Sequence, residues 1–140
     1  MKPKGHIEIK KAKIGVLLIN LGTPEGTTFI PMWKYLREFL SDQRVIELSR
    51  FIWLPILYLI ILTTRPKKSG KLYKKIWNKN KDESPLKVFS KSICNKIRQK
   101  FNNKNVLFSY AMNYGSPAIS KEILELFNNG CQRILIFLSY

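Results

Sequence analysis

Two cysteines and one histidine leave this chain short of the side chains that several chemistries require. Cys94 and Cys131 lie far apart with no CxxC, so neither a zinc site nor a disulfide framework is signalled. His6 sits in a Lys-rich leader ahead of the first predicted strand, where a solvated tail residue is expected rather than a base or a ligand. No GxGxxG or GxxxxGK occurs, which disfavours a nucleotide cradle. Residues 1–13 lack the apolar core of a secretory signal, so the cytoplasm is the expected location. The longest apolar stretch, residues 51–62, is interrupted by Pro55 and falls short of the roughly 20 residues that a bilayer-spanning helix needs. Internal repeats and low-complexity tracts are absent as well.

Acid is scarce too: Asp+Glu number 9 against 25 Lys+Arg, for a formal net charge of +16. Such an excess suits nucleic acid, an anionic membrane surface or an acidic ligand. Lysine, isoleucine and asparagine together make up a third of the chain, however, a bias that A/T-rich codons produce regardless of function. With 45% hydrophobic residues in 140, the chain is long enough for one domain with a core and too short for two ordinary ones.

Patterning predicts an α/β protein. Ile14 to Ile19 is a strand-like apolar run that breaks at Asn20-Leu21-Gly22-Thr23-Pro24-Glu25. Thr27 or Thr28 is placed to cap a helix presenting Phe29, Ile30, Trp33, Leu36, Phe39 and Leu40 at three- and four-residue spacing. Residues 51–62 then form either a buried helix or a helix at the mouth of a site, touching lipid, with Arg50, Arg65, Lys67 and Lys68 suiting an anionic interface. Arg65-Pro66 reads as a helix boundary, because a residue before proline is pushed out of the helical region. A short helix through Tyr73 and Trp77 follows, then Ser84-Pro85 as cap and first position of a helix carrying Leu86, Phe89, Ile93, Ile97 and Phe101. Strands over 106–112 and 133–139 flank a helix with Ile119, Ile123, Leu126 and Phe127 inward, closed by Gly130. The order β, several helices, β, α, β is that of a parallel sheet with helices on both faces. Its last strand would be an apolar edge unless further chain covers it.

In an open parallel sheet, ligands sit beyond the carboxyl ends of the strands. The turn at Leu21 brings backbone and one apolar side chain to that place. Arg65, Tyr73 and Trp77 add a guanidinium, a phenol and an indole; Tyr73 and Trp77 are four apart and share a helix face. Such a set suits a flat aromatic ligand bearing carboxylates: arginine gives a planar paired contact to an acid, and the rings supply π surface. It equally suits a basic helix that packs two aromatics and leaves its lysines in water. Ser84 caps a helix, and its hydroxyl can also donate to a ligand carboxylate near a helix N-terminus that favours anions. Tyr114-Gly115-Ser116-Pro117 is a further turn at the same sheet edge.

Taken in order, Leu18-Ile19-Asn20-Leu21-Gly22-Thr23-Pro24, Phe39-Leu40-Ser41-Asp42 with Val45-Ile46, Arg65-Pro66-Lys67 with Tyr73 and Trp77, Ser84-Pro85-Leu86, Tyr114-Gly115-Ser116-Pro117 and the closing strand resemble the ferrochelatase family over Lys13 to Tyr140. The resemblance implies a chelatase-like, Rossmann-like α/β half, incomplete at its C-terminus, behind a basic tail at residues 1–12. It implies insertion of ferrous iron into protoporphyrin to form haem, with the porphyrin held in a cleft between two such halves. Leu21, Arg65, Tyr73 and Ser84 match porphyrin-contacting positions, and residues 51–62 match an apolar lip giving peripheral membrane contact. The family's metal-handling histidine and glutamate fall after Tyr140. No catalytic residue, metal ligand or tightly bound cofactor is therefore expected within this chain, and the chain alone is expected to be inactive. Asp82-Glu83 stands where the family usually has glycines. The competing expectation, from another class, is a basic non-catalytic module for an anionic membrane surface or nucleic acid; the resemblance leaves no role for nucleic acid.

Overall fold

The computed structural model describes residues 12–139; His6 and the rest of the basic leader lie outside them. Three strands, β1 (Lys13–Thr23), β2 (Val106–Gly115) and β3 (Cys131–Leu138), form one parallel sheet in the order β2-β1-β3. The helices are α1 (Phe29–Ser41), α2 (Arg50–Ile56), α3 (Leu62–Ile76), α4 (Pro85–Phe101) and α5 (Ile119–Asn128), with a π-helical turn at Leu57–Ile61 joining α2 to α3.

Strand alternation sends β1 side chains to opposite faces. Leu17 and Ile19 join Ala111, Leu126 and Cys131 beneath α5. On the other face Leu18 packs with Phe108 and Cys94 beneath α4. Helices therefore cover both faces, and the central strand is apolar almost throughout because both its sides are buried. A third cluster, Met32, Tyr35 and Tyr114, seats α1 near the carboxyl end of β2. The αL residue Asn102 follows α4, and Gly130 at φ 89° follows α5, the latter as the sequence predicts.

Three local expectations change. Asn20 to Thr23 is strand rather than turn: β1 stays paired with β2 through Thr23↔Gly115, and the chain turns at Pro24. Gly22 is needed for close approach, since at φ 124° a Cβ there would overlap the Tyr114 carbonyl. Arg65-Pro66 lies inside α3. Pro66 forfeits one helical bond, but its ring is buried and the preceding turn is tied by the Thr63 and Thr64 hydroxyls, each donating to the Ile60 carbonyl at 2.8 Å. The inward helix faces hold expected residues, Leu36 and Phe39 on α1, Ile97 on α4 and Ile119, Ile123 and Leu126 on α5, but take in neighbours that were not expected. Met32 and Tyr35 are buried on α1, Ser90 and Cys94 on α4, and Glu122 and Leu126 on α5, while Ile30, Phe89 and Phe127 are exposed. Polar residues took those places because they have partners: Ser90 accepts from Asn20, and Glu122 accepts from the Ser109 hydroxyl. As expected of the last strand, β3 is an exposed apolar edge from Leu135 to Leu138, because α5 shields only its start, around Cys131 and Ile134.

Candidate functional site

The carboxyl ends of β1 and β2 gather most of the residues singled out above. Leu21 is exposed there on β1. The next residue, Gly22, offers its carbonyl to the Tyr35 hydroxyl at 3.4 Å. Tyr35 stacks on Phe39 with ring centroids 6.0 Å apart, and Tyr73 of α3 packs against the same cluster. Burial first, then the neighbouring Tyr73 phenol, pushes the Tyr35 hydroxyl well above the usual tyrosine range, so it is a neutral donor at any physiological pH. Tyr73 in turn meets Trp77 edge-on at 6.5 Å, and the Trp77 indole donates to Asp82 at 2.9 Å. The shared helix face predicted for Tyr73 and Trp77 is thus present, although Trp77 is the C-cap of α3 rather than part of it.

Arg65 is exposed on α3, roughly 12 Å along the helix axis from Tyr73 at 1.5 Å per residue. It belongs to the same helix as Tyr73 but not to the Tyr35 cluster. Gly70, between them, is buried so close to the Thr27 carbonyl that a Cβ would overlap it, which locks α3 onto the loop between β1 and α1. Ser84 is sealed at 1% exposure and accepts from the Lys87 amide at 3.2 Å, capping α4 as expected. Beside it Glu83 pairs with Lys91, whose ammonium is held above its usual range first by that bond. The structure therefore joins Leu21 to Tyr73 through Tyr35, keeps Arg65 on the shared helix, and buries Ser84 at the start of α4.

Three residues at this edge were not singled out from sequence. Asn20 is buried and donates to Ser90 at 2.8 Å, tying β1 to α4. Thr23 is buried, and its hydroxyl is the one buried side-chain polar atom without a partner among the described residues. A cavity of about 210 Å³ opens beside it, lined also by Lys34, Tyr35, Glu38 and Ser116. Tyr35 itself falls three residues after Met32, a spacing that could have found it had the helix phase been set one residue earlier. Among the described residues, no group of three or more His, Cys, Asp or Glu side chains is placed to hold a metal ion. The arrangement can grip a flat apolar ring at Leu21 and Tyr73 and an acid at Arg65.

Residues 51–62 are not a buried helix among the described residues. Only Leu57 and Leu62 of that stretch are buried; Phe51, Ile52, Leu59 and Ile60 project outward, and the Trp53 indole holds the segment down by donating to the Leu40 carbonyl at 2.7 Å. The π turn separates Leu57 from Leu62 by one full turn, so both anchors meet the body of the protein. No described helix is long and apolar enough to cross a membrane.

The ferrochelatase family profile matches residues 13–140. Curated relatives named ferrochelatase include that of Chelativorans sp. (strain BNC1), 52% identical over 139 residues, which takes in 99% of this chain and 39% of the relative. The ferrochelatase of Mesorhizobium japonicum is 50% identical over 137 residues, 97% of this chain and 39% of that protein. That of Brucella anthropi is 50% identical over 138 residues, 98% of this chain and again 39% of the relative. The chain thus spans about two-fifths of the length of the curated relatives it matches.

Proposed function

Because this chain belongs to the ferrochelatase family, we propose that it supplies one wall of a porphyrin cleft in an enzyme that inserts ferrous iron into protoporphyrin. The observation that carries the reading is the seating of Tyr73 on Tyr35 at the end of β1, one residue from Leu21, with Arg65 on the same helix. Leu21 and Tyr73 contact the macrocycle by apolar and π surface. Arg65 anchors a propionate through a charge-assisted, planar contact. Ser84 contributes by fixing the start of α4, whose N-terminus favours an acid group. Porphyrin and ferrous iron enter as substrates, with no resident cofactor. Two pyrrole N–H protons must leave as the metal enters, which requires a base. No described residue is assigned that role, so residues 1–140 alone do not insert iron.

Titration with protoporphyrin tests the reading. Arg65→Ala is expected to weaken binding by roughly tenfold, the value of one charge-assisted bond; an unchanged affinity refutes the anchor. Haem formation by residues 1–140 alone, above a no-protein control, refutes the claim of inactivity.

The exposed Phe51, Ile52, Leu59 and Ile60, flanked by exposed Arg50, Arg65, Lys67 and Lys68, favour one addition: peripheral contact of a cytoplasmic protein with an anionic membrane, from which an apolar substrate enters. Salt separates the porphyrin reading from a purely basic binding module. Binding through phosphates falls steeply as salt rises, whereas porphyrin uptake into an apolar cleft changes little.

A further inference from the structure

We propose that Tyr35 is a positioning residue for porphyrin binding: its buried phenol links the end of β1 to Tyr73 and fixes where the Tyr73 ring stands. The inference rests on the reading of Tyr73 as a macrocycle contact and adds to it a residue that touches no ligand itself.

Helix α3 is held against the β1 end at two places. At Gly70 the contact is backbone to backbone and sets the distance between α3 and the loop after β1. One turn later the contact is made by side chains, where Tyr73 packs onto Tyr35. A backbone contact fixes the helix but leaves a tyrosine free to rotate about its side-chain torsions. The Tyr35 ring removes that freedom on one side. It is itself immobilised by stacking on Phe39 and by burial against Met32 and Tyr114, and its hydroxyl reaches the Gly22 carbonyl at 3.4 Å. A phenylalanine at 35 would pack as well and would lose only the hydroxyl. The hydroxyl is therefore the part whose role is positioning rather than filling space, and Gly22 and Tyr73 are the two groups it faces.

A double-mutant cycle on the protein as the cell makes it, read by protoporphyrin affinity and by the Soret position of the bound porphyrin, tests this. All variants are assayed well below their melting temperatures, so that the folded fraction does not enter. Tyr73→Ala is expected to weaken binding roughly tenfold through loss of the aromatic contact. Tyr35→Phe is expected to cost about threefold, the value of one neutral hydrogen bond, and to shift the Soret band. In the Tyr73→Ala background, Tyr35→Phe should then change nothing further, because its effect passes through Tyr73. If Tyr73→Ala weakens binding while Tyr35→Phe leaves affinity and spectrum as in the wild type, or if the two losses multiply, the positioning role is wrong and the cleft reading stands. If Tyr73→Ala itself binds porphyrin normally, the reading of Tyr73 falls, and the positioning role with it.

Discussion

Residues 14–19 and 51–62 are both apolar runs, yet they end in opposite surroundings. Leu17, in the middle of β1, is 0% exposed, and Phe51, at the start of α2, is 93% exposed. The difference lies in what stands opposite. β1 has a strand on each side and a helix on each face, so its central residues, Leu17 to Asn20, are buried. The 51–62 segment meets the rest of the described chain along one line only, at Leu57, Leu62 and the Trp53 indole. Hydrophobicity says that a segment will leave water if something is there to receive it. Neighbours decide whether it does.

The comparison is sharpest in stability. Leu17→Ala opens a cavity in a two-sided core and should cost about 3 kcal/mol or more. Phe51→Ser should stay within about 0.5 kcal/mol, because no described packing is lost. Chemical denaturation of both variants checks this, and comparable losses would mean that the 51–62 face is covered in solution. Gly70→Ala comes next, at about 2 kcal/mol, since a Cβ would press on the Thr27 carbonyl and lift α3 off the strand end. A melting temperature unchanged by that substitution would break the picture of α3 as fixed to the β1 loop.

The same contrast explains what could be read from the residues alone. The order of elements, both sheet faces, the Ser84 cap and the glycine after α5 were legible because each depends on local chemistry or on a period repeated over many residues. The full width of each helix's inward stripe was not, although Leu36, Phe39, Ile97, Ile119, Ile123 and Leu126 do face the core. On α1, α4 and α5 the buried stripe includes Tyr35, Ser90 and Glu122, and a polar residue turns inward only when its partner, here Gly22, Asn20 or Ser109, comes from elsewhere in the chain. The continuity of α3 through Pro66 likewise depends on burial of a ring that local rules place outside a helix. Of the candidate site, the residue types were legible and their junction was not, because Tyr35, which joins Leu21's strand to Tyr73, carries no motif.

If the exposed apolar face meets lipid, removing its side chains should matter there and nowhere else. Phe51→Ser with Leu59→Ser is expected to lower partitioning onto anionic vesicles by roughly tenfold or more, from the apolar area withheld from the acyl boundary. Its melting temperature should hardly move. Vesicle binding that is insensitive to this pair but abolished by salt would assign the interaction to the lysines.

The smallest effect lies at the end of α1. Asp42 accepts from the Arg44 amide at 2.8 Å and from the Tyr114 hydroxyl at 2.9 Å, and these bonds, the backbone one foremost, hold its carboxyl below the usual value of 3.8. A carboxyl whose folded value is depressed stabilises the folded state above its unfolded value, and that contribution is lost as pH falls through the folded one. Tyr114→Phe removes one of the two donors and keeps the ring that packs edge-on against Phe39. The wild type should therefore be slightly more stable than Tyr114→Phe at neutral pH. The gap should close on acidification below about pH 4, where the carboxyl is protonated in the unfolded chain and then in the folded one. Denaturation curves at pH 7 and pH 3 measure it. A gap that persists unchanged at pH 3 would mean that the Tyr114 hydroxyl supports the cluster by some route other than Asp42.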